Sequence, residues 1–219
     1  MTLKLVIGNK NYSSWSMRPW LAMRANDIAF EEIFIPLYTD NKADKDRILS
    51  FSAAGKVPTL IDGDITVWDS LAIIEYLAER FPDKKLWPGD RAERAHARAI
   101  SAEMHSGFLP LRGECGMNLH RPIGAIALSA DARANVARIE EIWLDCRERY
   151  GRRGPFLFGA FTAADAMFAP VVHRFRTYAI EVAPQTKVYM ETMMALPAFA
   201  EWTQAGLAET LVIAKFETV

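Results

Sequence analysis

The sequence predicts an α/β domain over residues 1–82, followed by an all-α domain over residues 91–219. In the first part, strand-like runs alternate with helical patterns in the order βαβαββα. Beyond it, apolar residues recur only at helical spacing. Residues 83–90, between the two parts, are mostly polar and contain proline and glycine, which is typical of a linker.

The α/β domain contains four predicted strands, at residues 3–7, 30–36, 56–62 and 65–69. Asp62-Gly63-Asp64 separates the last two strands and predicts a hairpin turn. Helices are predicted at residues 16–26 and 70–81, with a short helix inside residues 40–52. Pro19 falls in the first turn of the first helix, where its missing N–H costs little. Ser70 is the expected N-cap of the last helix.

The all-α domain is predicted from helical periodicity over residues 91–108, 129–151, 161–178 and 197–209. The longest pattern starts at Ser129 and ends at Gly151. Its apolar residues form one stripe, which consists of Val136, Ile139, Trp143 and Cys146.

The composition is that of an ordinary soluble globular protein. Of 219 residues, 51% are hydrophobic and 24% are charged, and the formal net charge is -1. This balance disfavours nucleic acid or an anionic membrane as a partner. No apolar run approaches the roughly 18 residues of a membrane-spanning helix, and no signal-peptide pattern is present, so we expect a cytoplasmic protein. Cys115 and Cys146 match no metal-binding spacing, so no metal site is expected.

Two motifs place polar groups where a strand gives way to a helix. In "SSWS", the hydroxyls of Ser13 and Ser14 could donate to an anion such as a thiolate, because a helix N-terminus adds positive potential. In "WDS", Asp69 could accept from a ligand ammonium, while Ser70 and the helix N–H groups bind a carboxylate. Capping is the commoner use of either motif taken alone. A serine nucleophile is disfavoured, since the sequence has no G-x-S-x-G turn.

The third motif, "VPTL" at residues 57–60, opens a predicted strand with a proline. Proline has no N–H to give to a sheet, so it fits the first residue of a strand. On the residues alone, the Val57–Pro58 bond is expected to be trans, because cis bonds are a small minority of X–Pro bonds.

Four segments resemble the cytosolic glutathione S-transferases in order and spacing: "SSWSMRPWLAM", "GKVPTLIDGD", "VWDSLAIIEYLAERFP" and "FTAADAMFAP". The resemblance covers essentially the whole chain. It is closest to the zeta-like and related bacterial branch, whose first helix begins with an "SSCS-W-R" motif. It implies a thioredoxin-like N-terminal domain, a cis Val57–Pro58 bond, glutathione as co-substrate and a homodimer. The implied activity is a glutathione transferase acting on small electrophiles.

The resemblance also implies which residues hold glutathione. The backbone of Val57, before Pro58, would pair with the cysteinyl unit, and Lys56 would reach the glycyl carboxylate. Asp69 and Ser70 would hold the γ-glutamyl end.

The same resemblance implies roles for hydroxyl residues at two helix starts. Ser13 aligns with the serine that stabilises the thiolate, and Ser14 is its neighbour. With Ser13 directed at the thiolate, Ser14 or Ser16 is expected to cap the helix. Thr162 and Asp165 match the family's helix-capping box, which is structural.

The electrophile is expected between the domains, near the loop at residues 9–12 and the helices after residue 91. The polar candidates for its site are Tyr12, His105, Arg112, Arg174, Arg176 and Tyr178. Such residues are more often solvated or salt-bridged than bound to a ligand. Arg176 is favoured for a carboxylate-bearing substrate because it follows the capped helix.

The chain departs from the zeta-like pattern at Trp15, which stands where those proteins carry a cysteine. This departure weakens an assignment as maleylacetoacetate isomerase and argues against thiol-transfer chemistry. Two alternatives stay open. One is a glutathione-dependent isomerase or dehalogenase that uses the same thiolate, and the other is a non-catalytic dimer that binds glutathione or another ligand.

Overall fold

The computed structural model describes residues 2–39 and 41–217 and has the predicted fold class. An α/β domain with a four-stranded sheet is followed by a domain of helices. The order βαβαββα and the thioredoxin-like character of the first domain are confirmed. Within these described ranges, no helix is long and apolar enough to cross a membrane.

The sheet brings the three motifs of the α/β domain together. Its strands are β1 (Leu3–Ile7), β2 (Phe30–Phe34), β3 (Thr59–Asp62) and β4 (Ile65–Trp68), in the order β2-β1-β3-β4. Strand β1 runs parallel to β2 and antiparallel to β3, and β3 is antiparallel to β4. Val6 pairs with Thr59, and Thr59 pairs with Trp68. The end of β1, the start of β3 and the end of β4 therefore lie at one edge of the sheet.

Three helices complete the first domain: α1 (Ser14–Ala25), α2 (Lys42–Phe51) and α3 (Ser70–Arg80). Strand β3 begins three residues later than predicted, since Pro58 cannot donate to a sheet. The Val57–Pro58 bond is cis, as the family resemblance implies and against the expectation from the residues alone. Helix α1 begins at Ser14, two residues before the predicted start.

The second domain contains helices α4 (Arg91–Ser106), α5 (Leu109–Glu114), α6 (Ala130–Tyr150), α7 (Ala163–Thr177), α8 (Pro184–Ala195) and α9 (Pro197–Leu207). Four of these helices match predicted patterns. The short α5 and the whole of α8 were not predicted. In α8 the buried residues lie on one face, but Thr186 on that face is polar and the apolar Val188 outside it is exposed. Helical periodicity of apolar residues therefore gives little signal there.

One hydrophobic core runs through both domains. Trp20 of α1 and Trp202 of α9 meet edge-on, with their ring centroids 5.2 Å apart. Leu86 and Trp87, inside the predicted linker, are buried in the same core. The Leu86 carbonyl accepts a hydrogen bond from the Ala163 N–H at 2.7 Å. The segment between the domains is therefore packed against both.

The predicted capping box at the start of α7 is confirmed. The carboxylate of Asp165 accepts from the N–H of Thr162 at 2.8 Å and from its hydroxyl at 3.1 Å. It also accepts from the Leu157 N–H at 3.0 Å and the Tyr189 hydroxyl at 3.1 Å. Asp165 thus joins the start of α7 to the preceding loop and to α8.

Candidate functional site

A cleft of about 420 Å³ opens at the sheet edge where the three motifs meet. One lining residue, His105, comes from the helical domain, and the rest come from the α/β domain. The full lining is Trp15, Ala54, Lys56, Val57, Pro58, Trp68, Asp69, Ser70 and His105.

Asp69 caps α3 and thereby leaves Ser70 available to a ligand. Asp69 has a φ of 73°, and its Oδ1 atom accepts from the N–H groups of Leu71 at 2.8 Å and Ala72 at 3.5 Å. The prediction that Ser70 is the N-cap is therefore wrong, because the preceding carboxylate takes that role. The buried Ser70 hydroxyl has no hydrogen-bond partner among the described residues. An unpaired hydroxyl at a helix N-terminus can bind a carboxylate.

The segment before β3 adds a positive charge and a free peptide group to the cleft. Lys56 is exposed and forms no ion pair within the described part of the chain. The Val57 N–H and carbonyl make no backbone hydrogen bond to another described residue. A peptide-like ligand can therefore pair with Val57.

His105 reaches the cleft from α4 and bonds to Asp69. Its Nε2 atom lies 2.6 Å from Asp69 Oδ2. Its ring meets the Trp15 ring edge-on, with centroids 5.2 Å apart. His105 is predicted at the electrophile site, whereas its contact here is with the carboxylate expected to hold the γ-glutamyl end of glutathione.

Ser13 is the N-cap of α1, so the expectation that Ser14 or Ser16 caps this helix is wrong. Ser13 Oγ accepts from the Ser16 N–H at 3.3 Å and donates to Ser16 Oγ at 2.8 Å. Ser16 Oγ also accepts from the Gly8 N–H at 3.2 Å. Ser14 Oγ accepts from Arg174 at 3.5 Å. Both Ser13 and Ser14 are buried, which strengthens any hydrogen bond that they make.

Two arginines lie against the Trp15 ring. The guanidinium carbons of Arg18 and Arg112 are 4.3 and 4.4 Å from its centroid, within range of cation–π attraction. Arg18 is wholly buried, and its Nε atom donates to the Met167 carbonyl at 3.0 Å. Its two terminal nitrogens have no hydrogen-bond partner among the described residues. Buried unpaired guanidinium nitrogens are unfavourable, so this position favours an anion.

Arg174 of α7 completes an arginine cluster, which we define as Arg18, Arg112 and Arg174. Burial, together with the charge of Arg112, lowers the pKa of Arg174 to about 10. Burial and the charges of Arg174 and Arg112 hold the pKa of Arg18 well below its ordinary value, an effect that Asp69 opposes. The cluster thus has an excess of positive charge beside Ser14 and Trp15.

Two family models match the chain. The glutathione S-transferase N-terminal domain matches residues 12–80, and the glutathione S-transferase C-terminal domain matches residues 126–205. A probable maleylacetoacetate isomerase of Caenorhabditis elegans is 30% identical over 191 residues, which cover 85% of this chain and 87% of that protein. The chain belongs to the glutathione S-transferase family.

Other members of the glutathione S-transferase family are similar over nearly the whole chain. Glutathione S-transferase Z2 of Arabidopsis thaliana is 27% identical and covers 87% of this chain and 88% of its own length. A glutathione transferase homolog from Burkholderia GL BGR1, solved with bound glutathione, has a TM-score of 0.69 at 24% identity. That similarity covers 95% of this chain and 99% of the other. The resemblance to the zeta-like branch is thereby confirmed.

In this member of the glutathione S-transferase family, Tyr12 and Arg176, two residues predicted at the electrophile site, are not among the residues that line the cleft. Tyr12 is buried, and its hydroxyl donates to Glu217 at 2.5 Å and accepts from the Ile213 N–H at 3.3 Å. It therefore holds the C-terminal segment and does not line the cleft. Arg176 is exposed on α7, whereas Arg174, two residues earlier, is buried in the arginine cluster.

Neither cysteine of this glutathione S-transferase family member is suited to thiol chemistry. Both are buried, and burial raises the pKa of Cys115 to about 11 and that of Cys146 to about 12. Both thiols are therefore protonated at neutral pH. Cys146 lies near His96 and Asp145, with potential ligand atoms within 4.8 Å of one another. A thiol that stays protonated is a poor metal ligand.

Proposed function

We propose that this chain is a glutathione transferase that binds glutathione in the cleft and activates its thiol for attack on a small electrophile. The observation that carries the proposal is the match between the cleft and glutathione, which has two carboxylates, one ammonium and a central peptide. Lys56 would bind the glycyl carboxylate. Ser70 and the N-terminus of α3 would bind the γ-glutamyl carboxylate. Asp69 would bind the ammonium, and the Val57 backbone would pair with the cysteinyl unit.

The thiol can be activated without a metal or a buried base. A free thiol has a pKa of about 8.5, and lowering it by two units requires about 2.7 kcal/mol of preferential thiolate stabilisation. One hydrogen bond to a charged group contributes about 1.5–3 kcal/mol. The Ser13 hydroxyl, with the positive potential of the α1 N-terminus, is therefore about sufficient.

The arginine cluster supports an electrophile that carries a carboxylate. Arg18 offers two buried nitrogens that lack a partner among the described residues. Arg112 and Arg174 add charge next to Ser14 and Trp15. Planar guanidinium groups bind carboxylates in a well-defined geometry. A carboxylate on the electrophile would thus offset the charge of the cluster while its reactive carbon faces the thiolate.

A matched pair of electrophiles tests this substrate class. We expect 4-chloro-3-nitrobenzoate to be conjugated with a kcat/KM at least about tenfold above that of 4-chloro-3-nitrobenzamide, because one added charge-assisted contact contributes about 1.5–3 kcal/mol. Each value is divided by the uncatalysed rate with glutathione. Arg112→Gln should remove most of the preference, and Arg176→Gln, at an exposed position, should keep it. Equal kcat/KM values for the two electrophiles would contradict the proposed preference for a carboxylate-bearing electrophile. They would not contradict the proposed transferase activity.

The glutathione site itself is tested by Lys56→Ala and Ser70→Ala. Both residues should contact glutathione equally in the ground and transition states, so we expect KM for glutathione to rise about three- to tenfold with kcat little changed. Steady-state conjugation kinetics at saturating electrophile measure both constants. An unchanged KM in both variants would show that glutathione binds elsewhere.

A second candidate is a glutathione-dependent isomerase, favoured by the similarity to relatives such as the probable maleylacetoacetate isomerase of Caenorhabditis elegans. In that reaction the thiolate adds to a cis double bond and is later expelled, so glutathione is returned. Product analysis with a cis-enedione acid distinguishes the two, since a transferase gives a glutathione adduct and an isomerase gives the trans isomer. With a halogenated alkane as substrate, a dehalogenase would release halide without leaving a glutathione adduct. A non-catalytic ligand-binding dimer would give no product with either substrate.

We also propose that the protein is a cytoplasmic homodimer, as its family membership favours. No metal, nucleic acid or membrane has a role in the proposed reaction.

A further inference from the structure

We propose that His105 is a positioning residue for glutathione. The neutral His105 side chain fixes the Asp69 carboxylate, and the protonated side chain cancels the charge of that carboxylate. Binding of the glutathione amino group would then weaken as the pH falls. This inference rests on the proposed binding of glutathione in the cleft.

The geometry leaves one oxygen of Asp69 for a ligand, and His105 already contacts that oxygen. Oδ1 is engaged by the N–H groups at the start of α3. Oδ2 lies 2.6 Å from His105 Nε2, and both residues line the cleft. The side chains of His105 and Asp69 are 29% and 42% exposed, so protons and ligands can reach the pair.

The charge of the pair depends on the protonation of the imidazole. With neutral imidazole, the Nε2–H donates to Oδ2 and the pair keeps one negative charge, which attracts the ammonium of glutathione. With imidazolium, the pair has no net charge, and that attraction is lost. Histidine is the side-chain type that ordinarily changes charge between about pH 5 and 8.

Other charged groups lie near His105 on three neighbouring segments. Arg112 of α5 donates to the His105 carbonyl at 3.2 Å. Arg18 of α1 lies against Trp15, whose ring touches that of His105. Lys56, from the segment before β3, lines the same cleft. All three side chains are basic, so none of them offers His105 a carboxylate in place of Asp69.

The test uses S-methylglutathione, which has no thiol to ionise, and isothermal titration calorimetry at several pH values. For the unmodified chain, we expect Kd to be about five- to tenfold higher at pH 5.5 than at pH 7.5. His105→Gln keeps an N–H donor in place of Nε2 but cannot become charged. Its Kd should therefore be independent of pH and within about threefold of the unmodified value at pH 7.5.

Two controls separate this role from a merely structural one. His120→Gln, at a histidine that bonds the Leu207 carbonyl, should keep the pH dependence. An analogue of S-methylglutathione without the amino group should bind the unmodified chain equally at both pH values, because it has no ammonium to meet Asp69.

The outcomes distinguish this inference from the proposed function. Binding of S-methylglutathione with the same Kd at both pH values would overturn the role of His105 alone, as would a pH dependence that survives in His105→Gln. Absence of binding at any pH would overturn the glutathione site and this inference with it.

Discussion

Replacing Ser13 with alanine should raise the pKa of bound glutathione's thiol by about one to two units, since one charge-assisted hydrogen bond of about 1.5–3 kcal/mol is lost. At pH 7, kcat/KM should fall about three- to 25-fold, because a thiol pKa of about 6.5 that rises by one to two units loses that much thiolate, and the loss should shrink as the pH rises. Affinity for glutathione should change little, because in the proposed site its carboxylates, ammonium and peptide bind other residues.

The hydroxyl network at the α1 N-terminus supports this role for Ser13. Ser13 Oγ accepts from the Ser16 N–H and shares a hydrogen bond of 2.8 Å with Ser16 Oγ. A rotation of both hydroxyls would let Ser16 donate to Ser13 and free the Ser13 proton for the thiolate. Ser13 would then accept two hydrogen bonds, which makes its own hydroxyl a stronger donor.

Absorbance of the thiolate in the enzyme–glutathione complex, followed against pH, measures the shift directly. Ser14→Ala is the matched comparison, since Ser14 is buried next to Ser13 but accepts from Arg174. We expect Ser14→Ala to move the titration much less. A shift in Ser14→Ala with none in Ser13→Ala would assign activation to Ser14, and no shift in either would assign it to backbone N–H groups.

Ser13→Ala also removes the N-cap of α1, which should cost about 1 kcal/mol of unfolding free energy. Chemical denaturation of the variant separates this loss from the change in activity. Because the cap affects stability at every pH alike, a kinetic deficit that disappears at high pH reports on the thiol.

The position of the cleft could be predicted from local sequence together with strand order. The motifs "VPTL" and "WDS" lie where β3 begins and β4 ends, and "SSWS" begins α1 after the loop that follows β1. The strand order β2-β1-β3-β4 then places those points at one sheet edge. Short-range turn and capping chemistry together with strand order therefore fix which residues meet there.

The contacts made across the domain boundary could not be predicted in the same way. Asp69 and His105 are 36 residues apart, and Ser14 and Arg174 are 160 residues apart. Both contacts depend on how helices α4 and α7 pack against the first domain. Arg176 and Arg174 show this limit of prediction from sequence. The two positions face different directions on one helix, and only packing decides which one is buried.

Caps are a second source of error, since neighbouring residues of similar chemistry compete for the same N–H groups. Asp69 rather than Ser70 caps α3, and Ser13 rather than Ser14 caps α1. In each case the sequence locates the helix start to within two residues. Which side chain turns towards the helix, and which is left for a ligand, follows from backbone angles that sequence patterns do not specify.

Replacing Asp165 with alanine should lower the free energy of unfolding by about 3–5 kcal/mol, among the largest losses expected from a single substitution. Asp165 is wholly buried, and its carboxylate accepts four hydrogen bonds, from the Thr162 N–H and hydroxyl, the Leu157 N–H and the Tyr189 hydroxyl. Burial raises the pKa of Asp165 to about 6, and the hydrogen bonds from Leu157, Thr162 and Tyr189 oppose that rise. Alanine would leave those donors buried without an acceptor.

Thr162→Ala is the matched control, because it removes one donor and leaves the carboxylate with three others. We expect it to cost only about 1 kcal/mol, as the loss of a cap residue typically does. Urea denaturation at neutral pH measures both variants in one assay. Equal losses of unfolding free energy in the two variants would mean that the Asp165 carboxylate has no role beyond the capping box. A much larger loss in Asp165→Ala would show that the same carboxylate also holds the loop before α7 and helix α8. The Asp165 carboxylate would then help to fix the position of α7, the helix that carries Arg174.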